Sequence, residues 1–165
     1  MIKTKLSLEP AGKSLLLILC FLCAPAALFA APGTAAEIET LLASQAVTYA
    51  QASRFVLDAA DVAAFADPHE AFRFAMEQNW LPANAAAEGL VRLDGVSLLF
   101  LRAFDIRGGV LFTLTGSPHF AYREMEFLGF IHGRASPGQR VSGETLLYLT
   151  GRLLARAEEL AADGR

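Results

Sequence analysis

A chain that repeats itself must bury its apolar surface between the copies, and this one repeats. The stretch "DPHEAFRFAMEQNWLPA" at 67–83 returns fifty residues later as "SPHFAYREMEFLGFIHG" at 117–133. Laying 67–106 on 117–156 needs no gap. It pairs Pro68 with Pro118, His69 with His119, Ala71 with Ala121 and Arg73 with Arg123. Farther on, Ala85 meets Ala135, Val91 meets Val141, Leu99 meets Leu149 and Arg102 meets Arg152. The matches fall on helix starts and apolar positions, so the shared pattern is architectural before it is chemical. At an offset of 44, "AVTYAQASRFVLDAADV" also lies over "LVRLDGVSLLFLRAFDI", pairing Val47 with Val91, Ser53 with Ser97 and Leu57 with Leu101. The second helix of the unit thus occurs three times, near 48–60, 92–106 and 142–156. One helix pair cannot bury its apolar side alone, which is the physical reason to stack copies.

Local signals give the elements. "TAAEIETLLAS" (34–44) has Thr34 as a candidate cap and Ile38, Leu41 and Leu42 on one face, a short helix. In 47–66, Thr48 caps a helix with Ala52, Phe55, Val56 and Ala59 at helical spacing. Asp67 followed by Pro68 is the preferred order for a helix start, and Phe72, Ala75 and Met76 share its apolar face. Residues 92–106 place Val96, Leu99, Phe100 and Ala103 on one side. Ser117 and Pro118 open the next helix, Gly129 stops it, and Ser142 caps the last one over 142–164. "RGGVLFTLTG" breaks the helical rhythm, and its β-prone run predicts a short irregular or β-like linker at 107–116. The predicted fold is all-α: about three helix–loop–helix units, near 35–62, 67–106 and 117–160, packed as a small bundle.

The first thirty residues stand apart. Lys3, Lys5 and Lys13 precede the apolar run "SLLLILCFLCAPAALFA" and the small residues Ala30 and Ala31, the pattern of a secretory signal peptide cleaved near Ala30. A retained anchor competes with cleavage, and Pro25 and the alanine-rich end favour cleavage. Cys20 and Cys23 invite a lipoprotein reading, but Leu19 and Leu22 stand where a small residue is wanted. Cleavage leaves about 135 residues, enough for one domain over 31–165 with a real core, and no span to cross a membrane. No cysteine remains for a disulfide or a thiolate metal site. The remaining chain holds eleven arginines, no lysine and sixteen acidic residues, a formal charge of −5. That balance argues against nucleic acid and against a polybasic membrane role.

The run from His119 through the last helix resembles an S-layer homology repeat. His119-Phe120-Ala121-Tyr122 stands where that family opens its first helix. Gly129-Phe130-Ile131-His132-Gly133 stands at its turn, and Val141-Ser142-Gly143-Glu144 at its second helix start. The middle copy offers His69-Glu70-Ala71-Phe72, Asn79-Trp80-Leu81 and Val91-Arg92-Leu93-Asp94. In the first copy Val47-Thr48-Tyr49-Ala50-Gln51 matches. The resemblance implies three helical units in a pseudo-threefold bundle that attaches exported proteins to cell-wall or envelope polymers. The family's polymer-binding Arg is replaced by Tyr49, Leu93 and Gly143, and Arg92 substitutes only with a one-residue shift.

Chemistry is sparse. A histidine recurring at equivalent helix starts, as His69 and His119 do, points to packing and capping rather than catalysis, and His132 reads as a loop residue. A metal site from His69, His119 and a carboxylate lacks supporting spacing, and no cofactor motif is present. The sequence has no Gly-x-Ser-x-Gly element, no paired-carboxylate motif and no Cys nucleophile after the leader. Arg73 with Glu77, and Arg123 with Glu124 and Glu126, read as helix-face ion pairs. The functional alternative is bidentate binding of anionic groups on a polymer. Candidate ligand-binding residues are Arg73, Trp80, Arg92, Phe120 and Arg123. The expected function is non-enzymatic binding of an envelope polysaccharide, with an adaptor for an envelope protein as the alternative. A hydrolase using His119 and Glu144 is a third reading.

Overall fold

The computed structural model describes residues 33–133 and 135–163; the leader expected over 1–30 lies outside them. Seven helices form among the described residues. They are α1 (Gly33–Ala43), α2 (Tyr49–Ala59), α3 (Pro68–Glu77), α4 (Leu93–Ala103), α5 (Val110–Thr115), α6 (Pro118–Phe127) and α7 (Gly143–Asp163). Extended backbone is limited to isolated bridges, Thr48 with Leu90 and Arg92 with Arg140. The all-α class is as predicted.

Capping chemistry sets most helix starts. Thr48 Oγ1 accepts from the Gln51 N–H while Gln51 Oε1 accepts from the Thr48 N–H, a reciprocal pair. Asp67 accepts from the His69 N–H ahead of Pro68 at the first position of α3. Ser142 Oγ accepts from the Thr145 N–H at the start of α7. Ser117 holds the N-cap position of α6 without a side-chain bond to it, so Pro118 sets that start. Thr34 lies inside α1 rather than capping it.

The helix ends repeat one device. Asp61, Asn79, Asp105 and Gly129 all have left-handed backbone, with φ of 53°, 58°, 48° and 75°. After each, the next N–H reaches back to a carbonyl five residues earlier: Val62 to Leu57, Trp80 to Ala75, Ile106 to Leu101, Phe130 to Met125. This double-bonded stop satisfies carbonyls the helix leaves open. Asn79 and Gly129 are fifty residues apart, and Asp61 and Asp105 forty-four, the same two offsets that align the sequence. The stop at Asp61 ends α2 short of the span predicted to 66.

The centre is a ring. The Val91 N–H donates to the Val47 carbonyl (2.9 Å), Val141 to Val91 (3.0 Å) and Val47 to Val141 (2.9 Å). A second tier turns the other way: Tyr49 donates to Gly89, Leu93 to Gln139 and Gly143 to Ser44, at 2.9–3.0 Å. The three valines are at most 1% exposed, each burial contributing about 1.5–3 kcal/mol. Two residues past each valine a helix begins (α2, α4, α7). Their inward faces place Ala52, Val96 and Leu146 at zero exposure. Outside them α3 packs on α2 and α6 on α4, burying Ala71, Ala75, Ala121 and Met125.

The linker expectation at 107–116 is corrected. Val110–Thr115 is a helical turn and a half, not β-like. Gly109 caps it, Gly116 ends it at φ 59°, and Phe112 is buried. The Thr113 and Thr115 hydroxyls donate back to the Gly109 and Leu111 carbonyls, which pairs both hydroxyls within the short helix. From Asp61 to the cap Asp67 is six residues, and from Asp105 to Ser117 it is twelve. The surplus equals the six residues of α5.

Two substitutions probe this frame. A Cβ on Gly143 would fall inside the van der Waals radius of the Leu41 carbonyl oxygen. Gly143→Ala should therefore cost about 3 kcal/mol or more by chemical denaturation. Gly151→Ala, with open space around it, should add about 0.5–1 kcal/mol.

The hydroxyl of Tyr122 lies 2.7 Å from both Glu126 Oε1 and the Ala135 carbonyl, and its single proton serves one of them at a time. Burial, then the Glu126 carboxylate, pushes this phenol up to about 12 from its ordinary 10.0. The unfolded chain thus loses the proton first, so stability is full below about pH 10 and declines toward about pH 12, by on the order of 2 kcal/mol. Tyr122→Phe should flatten that alkaline decline in pH-dependent melts, at about 1 kcal/mol lost near neutrality.

Candidate functional site

The valine ring brings the start of α4 against the start of α2 and the loop before it. Arg92, at the N-cap of α4 and without a capping bond of its own, carries its guanidinium outward. Its Nη2 lies 3.0 Å from Asp94 Oδ2, while Asp94 Oδ1 accepts from the Gly95 N–H at 2.8 Å. Tyr49 is 6% exposed, and its hydroxyl lies where a Cβ on Gly95 would stand. Burial raises this phenol above its ordinary range, with a further upward push from Asp94. Together with Asn84, Gly89 and Pro118 these groups line a groove of about 290 Å³.

A second pocket, about 400 Å³, lies between α6 and the inserted α5. His119, Phe120, Arg123 and Glu124 face Val110 and Phe112 across it. The His119 and Phe120 rings meet edge to face at 5.6 Å. Glu124 sits beside Gly109, where its carboxylate offsets the partial positive charge of the α5 start.

The five residues expected to bind a ligand are therefore distributed. Phe120 and Arg123 share the α5–α6 pocket, and Arg92 stands in the groove. Arg73 lies on the outer face of α3, paired with Glu70 at 3.5 Å. Trp80 joins an aromatic cluster, edge-on to Phe74 at 5.8 Å, with Phe65 tilted against Phe74 at 5.4 Å. His69 contacts Glu88 at 3.2 Å. Among the described residues no hydrogen bond or ion pair joins His119 to Glu144, and no group of three or more His, Cys, Asp or Glu could hold a metal ion. No described helix is long and apolar enough to cross a membrane.

The three positions where the resemblance expects an Arg are packed inward. Tyr49 fills against Gly95, Leu93 is 4% exposed, and Gly143 lies under the Leu41 backbone. A guanidinium there would be buried without a partner. Arg92, one residue earlier, is 56% exposed by side chain and free of that cost. Residue spacing did not single out Tyr49, Asn84 and Asp94 for the groove. The pairing of Asp94 with Glu144 across copies was the available signal.

No protein-family model matches the chain, and neither a curated protein nor a solved structure matches it.

Proposed function

We propose that the chain is a non-catalytic binding module of the exported cell envelope, built on S-layer-homology-like units, that holds an envelope polysaccharide in the groove at Arg92. The observation that carries this reading is the composition of that groove. An outward guanidinium, a carboxylate and an amide converge beside apolar loop atoms and the buried Tyr49. Such a set can exchange hydrogen bonds with sugar hydroxyls and pair with an anionic substituent. The α5–α6 pocket, with Phe120 to stack and Arg123 to pair, is a second place for the same polymer.

A second reading, a protein adaptor, is favoured by the inserted helix. Val110 is 82% exposed, Leu111 58% and Leu114 80%. An insertion unnecessary to the ring that turns three apolar side chains to solvent fits a partner-binding element.

Co-sedimentation of the protein with isolated envelope polymer separates the two readings. On the first, Arg92→Ala and Arg123→Ala each weaken retention, by about tenfold where a charged hydrogen bond is lost, while Leu114→Ser leaves it intact. Failure to sediment, or retention indifferent to both arginines, sinks the polymer reading. Capture of one defined envelope protein, lost in Leu114→Ser, then favours the adaptor.

A further inference from the structure

A cavity of about 720 Å³ opens at the C-terminal ends of α4 and α6, along α7. The groove at Arg92 lies instead at the starts of α2 and α4. The volume is in the range of small-molecule sites. Its apolar wall is Phe104, Ile106, Leu128 and Phe130, and Arg107 and Arg152 reach its rim. Arg156 and Glu159 also line it but neutralise each other at 3.1 Å. Asp105 is the remaining carboxylate, so three guanidiniums stand against two acids. Among the described residues neither Arg107 nor Arg152 has a carboxylate within ion-pairing distance.

Arg152 is already held in position. Its guanidinium lies over the Phe130 ring at 6.0 Å and the Tyr148 ring at 5.8 Å. Its Nη1 lies within hydrogen-bonding reach of the Phe130 carbonyl, the Tyr148 hydroxyl and His132 Nε2, and its two hydrogens serve two of these at a time. These bonds use Nη1, leaving Nε and Nη2 to donate elsewhere. One copy earlier, the matching Arg102 lies 5.1 Å from the ring centre of Phe112, supplied by α5. Among the described residues no separate short helix follows Arg152. Instead α7 runs to Asp163, past Ala155, where the matching Asp105 ends its helix, and forms the cavity's wall.

We propose that this cavity binds an anionic amphiphile, a carboxylate carried on an apolar chain, with its head on Arg107 and Arg152 and its body along Phe104, Ile106, Leu128 and Phe130. The guanidiniums supply a charge that the cavity itself does not neutralise, and the wall supplies a surface that a sugar would not fill. Arg102 and Arg152 both rest on aromatic rings, and Arg152 keeps its Nε and Nη2 for a ligand in the cavity.

Titration calorimetry with dodecanoate, each ligand kept below its micelle concentration, tests this. Dodecanoate should bind one to one, and dodecyl maltoside and dodecyltrimethylammonium at least about tenfold more weakly, since neither carries an anionic head to pair with the arginines. Arg152→Gln and the more exposed Arg107→Gln should each weaken dodecanoate by about tenfold at unchanged circular dichroism. Polymer co-sedimentation should be unaffected by either, which separates this site from the groove at Arg92. Equal binding of the three amphiphiles, no binding of dodecanoate, or indifference to both substitutions would overturn the proposal. Binding to phosphatidylglycerol vesicles without binding of free dodecanoate would overturn it too, in favour of a bilayer surface.

Discussion

Three backbone hydrogen bonds among Val47, Val91 and Val141 carry the architecture. Each valine gives its N–H to one neighbour and its carbonyl to the other, so none of these buried polar groups is left unpaired. β-branched side chains suit the extended backbone of such a position, and their burial keeps water from competing for the bonds. Because a helix begins two residues after each valine, the ring also fixes where α2, α4 and α7 start. The outer helices then have only to cover the flanks of those three.

Around the fixed ring, other positions are free to vary, and they have. Two residues after each valine stand a tyrosine, a leucine and a glycine. Each meets a different local need: Tyr49 fills space that Gly95 leaves, Leu93 joins the core, and Gly143 admits the α1 backbone. A binding arginine at those places is incompatible with this packing. The charge that remains at the groove comes from Arg92, whose position lies outside the core.

Much of the frame was legible in the sequence because it rests on local chemistry. Asp67-Pro68 and Thr48 announce helix starts, and the two sequence offsets recur in the spacing of the helix stops. The inserted α5 was misread because valine, phenylalanine and threonine favour extended structure, whereas burying Phe112 against the rest of the fold goes with a helical turn between Gly109 and Gly116. The stops at Asp61 and Asp105 were hidden because aspartate adopts left-handed backbone less openly than glycine does. Of the expected binding residues, Phe120 and Arg123 are neighbours one turn apart and could be foreseen as a pair. The groove around Arg92 could not, since Tyr49 and Asn84 reach it only through the ring. The cavity beside Arg152 likewise joins α4, α6 and α7 from separate parts of the chain.

The ring has a temporal side. Its members lie at 47, 91 and 141, so one of its three bonds spans ninety-four residues. Any two segments without the third leave one donor and one acceptor unmatched. Contacts so distant in sequence slow folding, because chain entropy is spent before they form. The frame can be completed only when the segment around Val141 joins the other two. Until then the helices at the first two segments have one donor and one acceptor of the ring still open to water.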